Sequence, residues 1–411
     1  MKHGMRLAVF TNKFPSRVST FFARDMRGLI DAGIDIDIFP IYPLDPTLWS
    51  YVPDILNEQI LPRHKVHHIT LSDSLRAAGF PPLRKLSLFF RDTMSISATA
   101  ITSGIEPFAK STYVFPKALG WAQKYGAQYD HVLAYWGNYT GTCAYLFCRL
   151  LPSSIPFSIF LHAGIDLYLN QIYLRNKLLA ATNIITCSDF NVSFIKKHFS
   201  DIWNVLSKKL YVHYHGLDFK DFSFELNHRP PKKVLAVGGL NEWKGYDYLI
   251  RAIAELTARG LQCQLELVGG GNEADSLKAL ATRLGIMDRV KFRGWVRPEE
   301  IPGIMSKATV FVHPSSKLGD GVPNVIKESM AAGTPVIGSN IAGIPELLKG
   351  GDLGLLVPPM DIKALADAIE NLLTNAGLRN KYAESARKHA VEKFDLWRNG
   401  KALAKVLRPA Q

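Results

Sequence analysis

Short runs of β-branched and aromatic residues alternate with longer stretches of helical spacing along most of this chain, and that alternation admits few folds. A strand, a helix and a second strand close as a βαβ unit on a parallel sheet. In the first half the strand runs are residues 6–11, 34–40, 132–135, 157–161 and 184–187, with a helix over 21–32. A polar, proline-bearing stretch at 221–233 interrupts the pattern. It restarts with strands at 233–237, 264–268, 290–292, 310–312 and 335–337, and helices over 245–259, 273–284, 324–332 and 362–373. The reading is α/β: two Rossmann-like, doubly wound domains with a cleft between them. At 411 residues the chain is too long for a single core, which agrees.

Such sheets bind ligands beyond the C-terminal ends of their strands, so motifs at strand ends carry the chemistry. Val237-Gly238-Gly239-Leu240-Asn241-Glu242-Trp243-Lys244-Gly245 joins a strand to a helix. Gly238 and Gly239 permit close backbone approach, and Lys244 adds a full positive charge to the partial one of a helix N-terminus. Together they suit a diphosphate. The spacing is neither a Walker loop nor the dinucleotide fingerprint, which removes support for hydride chemistry. Gly269-Gly270-Gly271 forms a second glycine-rich turn.

The most informative stretch runs from Val312 to Val336. Its loop carries Asp320, then Gly321-Val322-Pro323 lead into a helix on which Asn324 and Glu328 stand one turn apart. Three readings fit Asp320 and Glu328: acceptors for sugar hydroxyls, a general acid/base pair, or a helix cap with a surface glutamate. Amides at a helix start keep nearby carboxylates ionised, which favours hydroxyl binding. Elsewhere, His162 ends a strand, where it can donate to a hydroxyl or phosphate or serve only structure. The first strand runs into Lys13-Phe14-Pro15-Ser16-Arg17-Val18-Ser19-Thr20. Asp35 and Asp37 match a D-x-D metal pattern but fall on the polar face of a strand. His64, His67 and His68 lack a carboxylate or cysteine beside them in sequence, so no metal site is expected.

Charge narrows the partners. Lys and Arg number 49 against 36 Asp and Glu, a net of +13 that favours an anionic partner. Nine Lys/Arg fall within residues 61–125 against Asp73, Asp92 and Glu106. Apolar residues interleave with them, as in Leu83-Arg84-Lys85-Leu86-Ser87-Leu88-Phe89-Phe90-Arg91. The stretch reads as one that lies on an anionic membrane, or as a solvated helix face. No nucleic-acid reading motif accompanies it, so no nucleic-acid partner is expected. Four scattered cysteines, no signal-like start and no long apolar window point to a cytoplasmic protein.

Taken together, these motifs resemble the family 4 retaining glycosyltransferases of the GT-B fold, in particular exopolysaccharide transferases of the colanic-acid type. The resemblance runs almost continuously from Val237 to Asp361, through the Gly-Gly-Leu…Lys-Gly turn, the Asp320-x7-Glu328 motif, the Met330–Val336 run and Gly354-Leu-Leu-Val-Pro-Pro. It is looser before that, through Phe14-Pro15, His162-Ala163…Asp166 and His215-Gly216-Leu217-Asp218. It implies an acceptor-binding domain at 1–220, a donor-binding domain at 221–390, and a C-terminal helix at 391–411 crossing back to the first. The function implied is metal-independent transfer of a hexose-type sugar, without a cofactor, from a nucleotide-sugar donor to a lipid-linked or saccharide acceptor. A catalytically inactive nucleotide-binding partner of a biosynthetic complex is the alternative.

In detail, the resemblance places Lys244 on the donor diphosphate, Asp320 on the donor sugar's hydroxyls, Glu328 on the ribose and His162 across the cleft near the sugar. Gly238, Gly239, Gly270 and the backbone of Gly321, Val322, Pro323, Asn324 and Val325 would form the donor cradle, with Trp295 and Val296 by the base. Arg17 and Ser19 would border the acceptor. Transfer would proceed on one face of the sugar through an oxocarbenium-like state, the leaving phosphate taking the acceptor's proton. The chain departs from the family where Gly239 replaces the usual arginine and Asp320 the usual glutamate. The expectation is that Arg17 or Lys317 restores the lost charge.

Overall fold

The structure, a computed structural model, describes residues 4–17, 20–77, 83–126, 128–169, 171–224, 226 and 232–408. Packing divides these into two units. The first comprises the described residues of Met1–Cys187, Asn191–Tyr214 and Leu396–Gln411; the second comprises those of Ser188–Phe190 and His215–Asp395. Apart from the short excursion at Ser188–Phe190, the chain changes unit at 214/215 and 395/396, where the sequence suggests 220/221 and 390/391. The earlier change arises because Leu217 bridges Asp395 and donates its backbone N–H to the Phe394 carbonyl, tying that strand end to the second unit.

In the first unit the strands are β1 (Arg6–Thr11), β2 (Asp35–Pro40), β3 (His131–Ala134), β4 (Phe157–Leu161), β5 (Asn183–Thr186) and β6 (Leu210–Val212). They form one parallel sheet in the order β2-β1-β3-β4-β5-β6. Leu7, Ala8, Val9 and Phe10 are all fully buried, as expected of a strand covered on both faces. Helix Tyr139–Leu150 is started by Asn138, whose side chain accepts from the Thr140 amide at 3.2 Å.

The second unit repeats the plan. Its strands β7 (Lys233–Val237), β8 (Gln264–Val268), β9 (Val290–Gly294), β10 (Val310–His313), β11 (Val336–Ser339) and β12 (Leu355–Val357) are all parallel, in the order β12-β11-β10-β7-β8-β9. In each unit the chain fills one side of the sheet and then crosses to the other. The switch lies between β1 and β3 in the first unit and between β7 and β10 in the second.

Helix Leu396–Leu407 belongs to the first unit, where it packs on helix Thr20–Asp31. Gly28 and Gly400 meet at the crossing: a Cβ on Gly28 would stand 2.9 Å from the Gly400 Cα. Arg27 lies over the Trp397 ring, and Asn399 donates to the Tyr214 carbonyl.

Several local expectations change. Strands β6 and β12 have no counterpart among the strand runs of the sequence. Asp35 is exposed on the face of β2 that Asp37 shares, but Asp37 is buried. Tyr129 donates to Asp37 at 2.7 Å, with Lys65 and His67 each 3.5 Å away. His67 thus has a carboxylate neighbour, contributed by β2. Burial would raise the Asp37 pKa, yet these partners hold it below the usual carboxylate range. Within the basic stretch, Lys117 is buried and donates to the Ile69 carbonyl, so it adds nothing to a surface charge. Among the described residues no helix is long and apolar enough to cross a membrane.

Candidate active site

The switch between β7 and β10 collects most of the residues that the sequence singled out. β7 ends at Val237 and Gly238, with Gly238 at φ +155°. A Cβ there would come within 2.7 Å of the Tyr246 hydroxyl, so the bare glycine is required. The Gly238 amide donates to the Val268 carbonyl and that of Leu240 to the Gly270 carbonyl. The Gly269 amide donates to the Gly294 carbonyl at 2.8 Å. The ends of β7, β8 and β9 are therefore laced side by side, with the Gly294-Trp295-Val296 turn next to the triple glycine.

From the other side of the switch, the loop after β10 is stitched to the same turn. The Ser316 amide donates to the Trp243 carbonyl and its hydroxyl to that of Glu242. Side chains at Gly245 or Gly319 would strike Pro314 or Trp243. This stitching sets Lys244 Nζ 2.5 Å from Asp320 Oδ2. His313, fully buried at the end of β10, places Nε2 3.2 Å from the same oxygen and 3.1 Å from Ser315 Oγ.

The electrostatics follow from that packing. Burial would raise the Asp320 pKa, but the Lys244 ammonium and the His313 imidazole hold its carboxyl far below the usual range. It is therefore an acceptor at neutral pH and has no proton to give, which removes the general-acid reading. Burial lowers the His313 pKa against the pull of Asp320, so its imidazole is neutral. A neutral ring facing a carboxylate carries its proton on Nε2.

The helix Asn324–Ala331 follows, entered through Pro323. Asn324 and Val325 open it, so their amides have no acceptor within the helix, and the positive end of its dipole lies here. Gly321 and Val322 precede it; the Gly321 carbonyl accepts from the Gly343 amide, which pins the approach. Glu328, one turn in, is buried. Lys317 is engaged elsewhere, with Nζ 2.5 Å from Glu242 Oε1.

In the first unit, His162 follows β4 directly. Its amide donates to Asp166 Oδ2 at 2.9 Å and that of Ala163 to Asp166 Oδ1. Its carbonyl accepts from Asn191. The ring is walled by Phe160, Trp136 and Tyr135, with centroids 4.2, 4.5 and 4.8 Å away. At the nearby β1–β3 switch, Thr11, Asn12, Lys13, Ser16, Phe21 and Trp136 line a small cleft. Arg17 is exposed with its guanidinium over the Tyr51 ring, while Ser19 lies outside the described residues.

The structure thus brings together Gly238, Gly239, Gly270, Lys244 and Asp320 in one unit, and sets His162 by a separate cleft in the other. Sequence reading passed over His313 and Tyr246 as site neighbours. His313 lies within the Val312–Val336 stretch, but only the fold shows that it touches Asp320.

Comparison with known proteins bears on the second unit most directly. Residues 218–389 match the family model for glycosyl transferases group 1. The alpha-D-kanosaminyltransferase of Streptomyces kanamyceticus is 36% identical over 43% of this chain and 45% of its own length. The chain spans about half the length of this and the other first-ranking curated relatives. The amylovoran biosynthesis glycosyltransferase AmsK of Erwinia amylovora is 26% identical over 88% of this chain and 89% of its own. Among solved structures, Anabaena Alr3699/HepE in complex with UDP-glucose superposes with a TM-score of 0.68 at 19% identity, covering 98% and 99% of the two chains. At that identity the likeness shows the fold, which is GT-B.

Proposed function

We propose that this chain, whose residues 218–389 form a glycosyl transferases group 1 domain, moves a hexose-type sugar from a nucleotide-sugar donor to a lipid-linked or saccharide acceptor. The reading includes retention of anomeric configuration, no metal ion, and work at the inner face of a bacterial membrane in exopolysaccharide or lipopolysaccharide synthesis. The observation that carries it is the Lys244–Asp320 pair beside the bare Gly238-Gly239 turn at the β7–β10 switch.

The pair gives each partner a task. A donor diphosphate entering beside Gly238 offers Lys244 a more highly charged acceptor than Asp320. Asp320, released from one bond and still ionised, accepts from a hydroxyl of the donor sugar. The opening amides of helix Asn324–Ala331 face the remaining phosphate charge. As the glycosidic bond breaks, negative charge grows on the diphosphate, where Lys244 and the helix end already stand, so stabilisation increases toward the transition state. The leaving phosphate oxygen takes the acceptor's proton. For His162, whose amide donates to Asp166, the reading keeps the role of a hydrogen-bond donor to a hydroxyl or phosphate.

AmsK, named for amylovoran biosynthesis, supports a polysaccharide product, and the HepE complex supports UDP-glucose as a member of the donor class to be tested. The test is a melting series with UDP, GDP, ADP, dTDP and CMP in the presence of a chelator. A nucleoside diphosphate at a hundred times its Kd stabilises the fold by about 2.7 kcal/mol. A shift with one diphosphate is expected, followed by transfer from the matching nucleotide sugar with the anomeric configuration retained, read from the H1 coupling by NMR. No shift across the panel in folded protein overturns the reading.

A further inference from the structure

We propose that the outward face of helix Leu83–Thr102 in the first unit docks on an anionic lipid bilayer, with its apolar stripe inserted and its cations against the headgroups. The inference deepens the membrane location proposed above and does not depend on the transfer reaction.

One side of this helix is accounted for. Asp92, Thr93, Ile96 and Ala100 are buried, and Asp92 accepts from Arg149 at 2.9 Å and from Tyr145 at 3.2 Å. The other side is not what a water-facing helix shows. Phe90 is 54% exposed, Met94 70% and Ile101 61%, and Ile105, just past the helix end, is 88% exposed. Phe90, Met94, Ala98 and Ile101 follow one another at spacings of four, four and three residues, which places them in one stripe along the helix. Large apolar side chains scattered singly on a surface need no explanation, but a stripe of them does.

Charge selects the occupant. Arg84 and Arg91 are exposed along the same edge of the stripe. The one acid within the helix is Asp92, and it is buried. An apolar stripe edged by cations, with no exposed carboxylate on the helix itself and with Glu106 beyond its end paired to Lys110, complements a surface that is anionic at its boundary and apolar within. A protein partner or a second copy of this chain would bring carboxylates and carbonyls to specific positions, and the exposed remainder of this face, Ser87, Ser95 and Thr99, offers only short hydroxyls to meet them.

The test is co-sedimentation of the full chain with vesicles of phosphatidylcholine alone or mixed with phosphatidylglycerol, at low and high salt. Binding to the anionic vesicles, weakened by salt, is expected. Met94→Ser with Ile101→Ser should lower the partition coefficient by at least about tenfold. Arg84→Gln with Arg91→Gln should lower it about fivefold per charge. These side chains are exposed, so both variants should keep the wild-type melting temperature and its shift with UDP. Failure to bind anionic vesicles, or equal binding by Met94→Ser/Ile101→Ser, overturns the proposal. So does a wild-type dimer in light scattering that the same variant makes monomeric, since a second copy then covers the face. A nucleotide shift that survives any of these failures leaves the transferase reading intact.

Discussion

Lys244 and Asp320 are separated by 76 residues of sequence and by 2.5 Å in the folded chain, so two groups expected to hold a donor hold each other before it arrives. Substituting the two should have opposite effects on a bare nucleoside diphosphate. Lys244→Ala removes a charge-assisted bond and should weaken binding about 10- to 100-fold. Asp320→Asn releases the lysine, so diphosphate binding should hold or tighten while turnover of the nucleotide sugar collapses. Calorimetry on both variants checks this; equal losses of diphosphate affinity would mean that the pair is only a structural clip.

Adjacent glycines should respond differently to substitution. Gly238 has a positive φ and the Tyr246 hydroxyl against it, so Gly238→Ala should destabilise the unit by about 1–3 kcal/mol. Gly239 has no such φ, and its nearest obstacle is the movable Asn241 amide at 3.2 Å. Gly239→Arg should fold normally and bind the diphosphate more tightly, about tenfold, by adding a second cation beside Lys244. Melting curves with and without UDP separate the two cases.

Gly28 and Gly400 should be intolerant in the same way. A methyl group on either would drive into the backbone of the facing helix, so the two helices would have to shift apart. Gly28→Ala or Gly400→Ala should cost about 1–3 kcal/mol, and the pair together less than the sum, because one displacement relieves both clashes. Denaturant titration of the single and double variants measures the coupling.

Acid should destabilise the first unit through a buried histidine. His131 is buried, and that burial lowers its pKa to about 4, whereas an unfolded histidine titrates near 6.5. The unfolded chain therefore binds the extra proton first. The stability that His131 contributes is full above about pH 6.5 and falls as pH drops towards 4, by up to about 1.4 kcal/mol per pH unit. His131→Gln, which keeps a partner for the Ser158 hydroxyl 2.8 Å away, should flatten that slope. Asp320 behaves otherwise: its depressed pKa keeps its contribution constant from pH 8 to about 5 and erodes it only below the ordinary carboxylate range.

How much could be read beforehand differs by kind of feature. Ten of the strands are legible as apolar runs, most of them because parallel strands buried on both faces show little alternation; β2 and the edge strand β9 are the exceptions, with polar residues alternating in. β6 was hidden because Tyr211 and Val212 are exposed at the sheet edge and follow Lys208 and Lys209. β12 is three residues long and framed by glycine and proline. Lys244, Asp320 and His162 stand out because each lies just after a strand end, in the loop that leads to the next helix. Their partners do not: Asp37 collects Tyr129 from 92 residues away, and no local pattern records such a meeting. The direction in which Met94 points was equally illegible, since helical spacing shows that a stripe exists but not which stripe the core claims.

The return of helix Leu396–Leu407 to the first unit sets the order in which the chain matures during synthesis. The first unit is begun by residue 6 but lacks the cover for helix Thr20–Asp31 until residue 407 has been made, and until then Gly28 faces an empty groove. The second unit has all its strands by residue 357. It completes itself inside an interval of the chain while the first waits, so the part translated first is the last to close.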